Sequence, residues 1–183
     1  MVICGIDEAG RGPIAGPLVM AGVVLKEEIK GLRDSKKLTE KKREALFDEI
    51  KEKSIYKIVE VDNKTIDEKG LSFAIKFCLN TIIQSLKADK YIFDGNSKFG
   101  VDILETMIKG DDKVAEISAA SILAKVTRDR FMKKMAEIYP EYEFQRHKGY
   151  ITKLHIEKIK EFGYCDIHRK SYKVKALNQR SLF

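Results

Sequence analysis

The chain is 183 residues long, enough for one domain with a full core, and its 44% hydrophobic and 34% charged residues are those of a soluble globular protein. No apolar span reaches transmembrane length, and no basic region followed by an apolar signal core opens the chain, so nothing directs it to a membrane or out of the cell. The 35 Lys and Arg outnumber the 28 Asp and Glu, a net charge of +7 that favours a polyanionic partner. In chain order, Val2 to Asp7 reads as a buried strand and Gly10 to Pro17 as a Gly/Pro turn. Leu18 to Leu25 is a second apolar run, close enough to pair with the first as a hairpin. Thr39 suits an N-cap, and the helix after it carries Ala45, Leu46, Phe47 and Ile50 among charges. Ser54 to Val61 reads as a strand, and Leu71 to Leu86 as a helix with an apolar stripe. Tyr91 to Phe93 is a short buried strand ending at Asp94-Gly95. Ile117 to Ile138 is the longest helical pattern, and a last helix from about Thr152 to Phe162 stops at Gly163. Strands first, then alternating helix and strand, then helices imply one mixed α/β sheet layered by helices.

Acids gather at the predicted strand ends. Asp7 and Glu8 follow the first apolar run, and Asp94 ends a later one. In open α/β sheets functional groups collect at that edge. Asp111 sits in a Gly-Asp-Asp turn before the Ala-rich helix, where amide groups can hold it. Clustered carboxylates repel one another unless cations stand between them, so the set predicts bound divalent ions. Two ions about 3.5 to 4 Å apart stabilise the attacking and leaving oxygens of an in-line phosphoryl displacement. Asp129 competes with Asp111 for the fourth place, although its basic helical segment, Lys125 to Arg130, also suits a plain ion pair. Gly10-Arg11-Gly12 offers a close-approaching backbone and one guanidinium to a phosphate. The cysteines, Cys4, Cys78 and Cys165, show neither zinc spacing nor a disulfide framework, which points to a reducing cytoplasm. His147, His155 and His168 lack ligand spacing: His155 reads as a helix-surface residue, the other two as structural or substrate-side groups. Ser118 and Ser121 read as small helix-packing residues.

Taken together, several stretches resemble the ribonuclease HII family. They are Gly5-Ile6-Asp7-Glu8-Ala9-Gly10-Arg11-Gly12-Pro13, Ala15-Gly16-Pro17, Asp34-Ser35-Lys36-Lys37-Leu38, Asp94-Gly95, Lys109-Gly110-Asp111, Ile117 to Asp129, His147-Lys148-Gly149-Tyr150 and His168-Arg169-Lys170-Ser171-Tyr172. The matches run in family order over almost the whole chain, and the bacterial form is the nearer. Ile151 stands where that pattern usually has Pro, and Tyr172 where it usually has Phe; neither is expected to touch the chemistry.

The resemblance implies an α/β, RNase H-like mixed sheet flanked by helices, with a C-terminal helical extension. It divides the chain into a catalytic domain over 1–175 and a tail over 176–183. It implies hydrolysis of the RNA strand of RNA–DNA hybrids, and cutting 5′ to ribonucleotides embedded in duplex DNA, leaving a 3′-hydroxyl and a 5′-phosphate. The four acids of the family map to Asp7, Glu8, Asp94 and Asp111, with Mg2+ or Mn2+ as the ions, two per site during catalysis. Gly10, Arg11, Gly12, Lys36 and Tyr150 map to substrate contacts, Tyr150 packing on the sugar of the following deoxynucleotide. Lys37, Lys125, Arg128, Lys148, Arg169 and Lys170 are further candidates for phosphates. The tail Gln179-Arg180-Ser181-Leu182-Phe183 resembles the peptide by which bacterial repair proteins bind the sliding clamp, through Gln179, Leu182 and Phe183, with Arg180 departing from the pattern. A monomer is expected. Two other readings stand beside this one. A binding adaptor that has lost catalysis is argued against by the intact acid set, and a DNA-only nuclease of the same fold by Gly10-Arg11-Gly12 with Tyr150.

Overall fold

A computed structural model describes residues 1–32 and 35–178. Five strands, β1 (Ile3–Ala9), β2 (Leu18–Leu25), β3 (Ser54–Val61), β4 (Lys90–Asp94) and β5 (Leu104–Met107), form one mixed sheet in the order β3-β2-β1-β4-β5. The β1–β2 and β2–β3 pairs are antiparallel; β1–β4 and β4–β5 are parallel. The helices are α1 (Glu40–Lys53), α2 (Asn63–Lys69), α3 (Leu71–Ser85), α4 (Ala115–Ile138), α5 (Phe144–His147), α6 (Lys153–Phe162) and α7 (Lys175–Asn178). None of them is long and apolar enough to cross a membrane.

Alternation along the strands sorts the core into two layers. Cys4, Ile6, Leu18 and Met20 meet Ala74, Cys78, Leu79 and Ile82 of α3 on one face. Val19, Ala21 and Val23 meet α1 and the Ala119–Ala120, Ile122–Ala124 stretch of α4 on the other. Small residues let α4 come close. A Cβ on Gly5 would lie 2.3 Å from the backbone of Glu116 and Ile117, so only glycine leaves room for the start of α4 on the middle of β1.

The expected strands, hairpin and long helices are present, the expected cap at Thr39 forms, and Thr152 caps α6 as well. Thr39 accepts from the Lys42 N–H at 3.3 Å, and Thr152 accepts from the His155 N–H at 3.2 Å. Four elements had no sequence expectation. β5 has four residues with Leu104 its only buried one, too short for a period to show. α2 buries only Asn63 and Ile66 and is started by Asp62, which accepts from the Thr65 N–H at 2.8 Å. α5 and α7 are single turns. Ala176 and Leu177 of α7 pack with Ile14, Ile159 and Val174.

Candidate active site

The topology brings the predicted acids to one edge. β1 and β4 run parallel, so Asp7, Glu8 and Asp94 all leave the sheet at the same end. Asp111 reaches that end from a 3-10 turn, Gly110–Asp112, just before α4. This turn is pinned to Asp94, whose carboxylate accepts from the N–H groups of Gly110 (3.3 Å) and Asp111 (3.4 Å). Asp7 accepts from the Glu8 N–H at 2.8 Å.

Charge is crowded here. Burial, then Glu8 and Asp94, push the Asp7 carboxyl well above its usual range. Burial raises Glu8 as well, and Arg11 partly opposes it. Asp94 is raised by burial and then by Asp111. Two cations stand against the acids. Arg11 Nε lies 2.7 Å from Glu8 Oε1, and Lys36 Nζ lies 2.9 Å from Asp111 Oδ2. Hydrogen bonding to Asp111 raises the Lys36 ammonium. Lys36, expected on phosphate, thus faces the acids here. Glu8 Oε2 and Asp111 Oδ1 are buried with no hydrogen-bond partner. Orphaned carboxylate oxygens among like charges, all of them hard ligands, fit a hard divalent cation. Among the described residues no three His, Cys, Asp or Glu side chains stand as a ready-made cage; Arg11 and Lys36 supply the compensating charge.

Asp129 is placed differently. Its carboxylate pairs with Lys125 at 3.4 Å, one helical turn back. Both line a pocket of about 290 Å³ beside the acids, with Glu8, Gly10, Arg11, Gly12, Ser121 and Tyr150. Tyr150 is 43% exposed, and Gly12 faces open space. A larger hollow of about 450 Å³, walled by Phe73, Phe77 and Phe131, contains none of the four acids.

Several expectations need correction. Arg128 and Arg169 are 1% and 0% exposed, so neither tracks phosphates. Arg169 donates to the carbonyls of Gly10 (2.6 Å), Arg11 (3.0 Å) and Gly16 (3.0 Å). Arg128 donates to those of Ala15, Pro17 and Lys148. Gly10, at φ +96°, is needed both for its conformation and because a Cβ would meet Arg128 Nε at 2.4 Å. Tyr172 does reach the substrate loop: its hydroxyl donates to the Arg11 carbonyl at 2.6 Å and accepts from Arg169 at 2.9 Å. Ser118 is buried and donates to the Leu32 carbonyl. Lys37 and Lys170 are exposed. Gln179, Leu182 and Phe183, and Asp34 of the matched stretch, lie outside the described residues.

His155 is fully buried, not on the surface, because it sits one turn before Ile159 on the inner face of α6. The three imidazoles have determined roles. A carbonyl can only accept, so His155 Nδ1–H donates to Tyr150 O at 2.9 Å, leaving Nε2 as acceptor. His168 Nδ1 accepts from the Cys165 N–H, so its Nε2–H donates to His155 at 2.9 Å. His147 Nε2–H donates to Tyr142 O, and its Nδ1 accepts from the Gly149 N–H. All three are neutral, and the chain of bonds ends on the backbone of Tyr150. A signal was present in the sequence, since position 155 shares the apolar stripe of α6 with Ile159.

Comparison with known proteins identifies the family. The family model described as Ribonuclease HII matches residues 4–175. The Ribonuclease HII of Aliarcobacter butzleri is 60% identical over 98% of this chain and 95% of its own length. That of Sulfurovum sp. is 60% identical over 99% and 96%. Among solved structures, the PCNA:RNase HII complex from Archaeoglobus fulgidus contains a chain that superposes with a TM-score of 0.87 at 30% identity, covering 98% of both chains. The chain therefore belongs to the ribonuclease HII family, metal-dependent endoribonucleases that cleave the RNA of RNA–DNA hybrids.

Proposed function

We propose that this enzyme also cuts 5′ to ribonucleotides embedded in duplex DNA, leaving a 3′-hydroxyl and a 5′-phosphate, with Asp7, Glu8, Asp94 and Asp111 as its metal-holding acids. The observation that carries this reading is the convergence of the four acids beside a pocket lined by Gly10, Arg11, Gly12 and Tyr150, with two buried carboxylate oxygens left unpartnered. Held by these acids, two divalent ions, Mg2+ or Mn2+, would supply the means to activate a water and to offset charge on the leaving 3′-oxygen. Asp94 holds the Asp111 turn in place, so the two acids act as one unit. Arg11 and Lys36 balance the acids in the free protein and are placed to meet a phosphate that approaches them. The backbone of Gly10, Arg11 and Gly12 senses the 2′-hydroxyl, a group that both donates and accepts. Tyr150 packs on the next sugar, where a second 2′-hydroxyl would clash. One assay tests this: a duplex with a single ribonucleotide, with and without magnesium, beside an all-DNA control. Cleavage only of the first, only with magnesium, and on the 5′ side is expected; cutting of the all-DNA duplex defeats the reading.

The tail supplies a partner. The archaeal relative was solved with PCNA, and Gln179, Leu182 and Phe183 would provide the anchors of a clamp-binding peptide over 179–183. Removing residues 179–183 is expected to abolish sliding-clamp pull-down and spare cleavage of a short duplex; unchanged pull-down refutes the role. A cytoplasmic monomer is part of the same proposal, supported by the gathering of all four acids within one chain and by three widely spaced cysteines that suit a reducing compartment. Burial pushes the Cys4 and Cys78 thiols up to about 12, which keeps them unreactive.

A further inference from the structure

We propose that Arg128 is a positioning residue that sets the preference for ribonucleotide–deoxyribonucleotide junctions, by holding Tyr150 at a fixed place relative to the 10–17 loop. The inference rests on the reading that Tyr150 packs on the sugar after the ribonucleotide.

Arg128 projects from α4 and is 1% exposed. Its hydrogen-bond partners among the described residues are carbonyl oxygens from two separate loops. Nε donates to Pro17 at 2.9 Å and Nη2 to Ala15 at 2.7 Å, both in the loop that carries Gly10-Arg11-Gly12. Nη1 donates to Lys148 at 2.7 Å, two residues before Tyr150. The guanidinium carbon lies 5.6 Å from the centre of the Tyr150 ring, so the same group supports that ring from beneath. A backbone bond from Ile14 N–H to the Gly149 carbonyl, 2.9 Å, joins the loops at a second point. Arg169 braces the 10–17 loop from elsewhere and makes no hydrogen bond to 148–150 among the described residues. Arg128 thus ties the element that reads the 2′-hydroxyl to the element that reads the next sugar.

The chemistry requires a guanidinium. Three carbonyls diverge from one plane, and only a rigid fork reaches them together; an ammonium is a single point. Burial lowers the guanidinium to about 10, which leaves it charged at neutral pH. Misplacement of a recognition group by about 1 Å is enough to cost ~100-fold in rate.

The test uses the full chain and the ratio of kcat/KM on a single-ribonucleotide duplex to kcat/KM on a continuous RNA–DNA hybrid. Arg128→Lys keeps the charge and is expected to lower that ratio about tenfold, a coupling within the range seen for contacting residues. Tyr150→Ala is expected to lower it too, and the double variant to match Tyr150→Ala alone. A ratio unchanged in Arg128→Lys, while Tyr150→Ala loses its preference, overturns the proposal and leaves the Tyr150 reading intact. Losses that multiply in the double variant also overturn it. An unchanged ratio in Tyr150→Ala defeats both. Should Arg128→Lys fail to fold, the Nε–H resonance of Arg128 in the otherwise unaltered protein carries the test. It is expected to shift on Tyr150→Leu, and an unmoved resonance overturns the contact.

Discussion

At the scale of single residues, the acids trade stability for chemistry. Asp94 both faces the other carboxylates and accepts two amide bonds from the Asp111 turn. Losing even a residue that only supports a metal's ligands typically costs ~10–100-fold, and Asp94 is one of the proposed ligands themselves. Asp94→Asn is therefore expected to cut magnesium-dependent cleavage by at least ~100-fold, while a gel-shift assay shows hybrid binding retained. Asp7 is held above its usual pKa by burial and by Glu8 and Asp94. A raised carboxyl stabilises the fold below its unfolded pKa, and that contribution is lost as pH rises through the folded value. At neutral pH the Asp7 carboxyl thus costs the metal-free fold stability. Asp7→Asn is expected to raise its melting temperature, by ~2–4 °C for each kcal/mol relieved in a chain of this size, as calorimetry in EDTA would show. Asp7, Glu8 and Asp94 were legible in the sequence because a carboxylate after an apolar run is an unusual pairing, whereas Asp111, in a Gly-Asp-Asp turn, had Asp129 as a competitor. Arg128 and Arg169 read as phosphate contacts and Tyr172 as an apolar position away from the chemistry, because no short-range pattern marks a guanidinium or hydroxyl that the fold will bury. Only the folded loops bring carbonyl oxygens around them.

At the scale of elements, α6 and the 165–169 segment act as a back wall for Tyr150. Burial, and then the neighbouring imidazole, lower His155 to about 4 and His168 to about 3. Both values lie below the unfolded pKa of about 6.5, so the native state resists protonation that the unfolded chain accepts. Their contribution is fully present above pH 6.5 and is lost as pH falls from there toward 4, at most ~1.4 kcal/mol per pH unit for each ring. Nitrogen chemical shifts are expected to show both rings neutral at pH 5, with the Nδ1–H form at His155 and the Nε2–H form at His168. A charged ring at pH 5 would refute the relay. Long elements were readable because their apolar period repeats over several turns, as in α3 and α4. β5 and α2 were not, since each buries one or two side chains and no period develops.

At the scale of the whole molecule, net charge and topology act together. The chain carries +7 overall, yet its working edge is acidic. Lys125 lines the pocket beside the acids, where it pairs with Asp129 at 3.4 Å. Hybrid affinity should fall with salt, log Kd changing by about 0.9 per log unit for each phosphate neutralised. Lys125→Gln is expected to lower that slope by about one, measured by fluorescence anisotropy across a salt series. The parallel β1–β4 pair is what lets distant acids share one edge. A sequence shows that acids end strands, but not which strands are neighbours, so the sheet order had to come from the structure.

Gly5 carries no functional group, yet it stands two residues before Asp7 and under the start of α4, which follows the turn that carries Asp111. One added methyl would wedge helix from strand and separate the two halves of the site at once. A genetic screen for lost activity would score this position beside the proposed metal-holding acids, although it has no functional group to lose. Here the chemistry depends on the absence of a side chain as much as on the acids themselves.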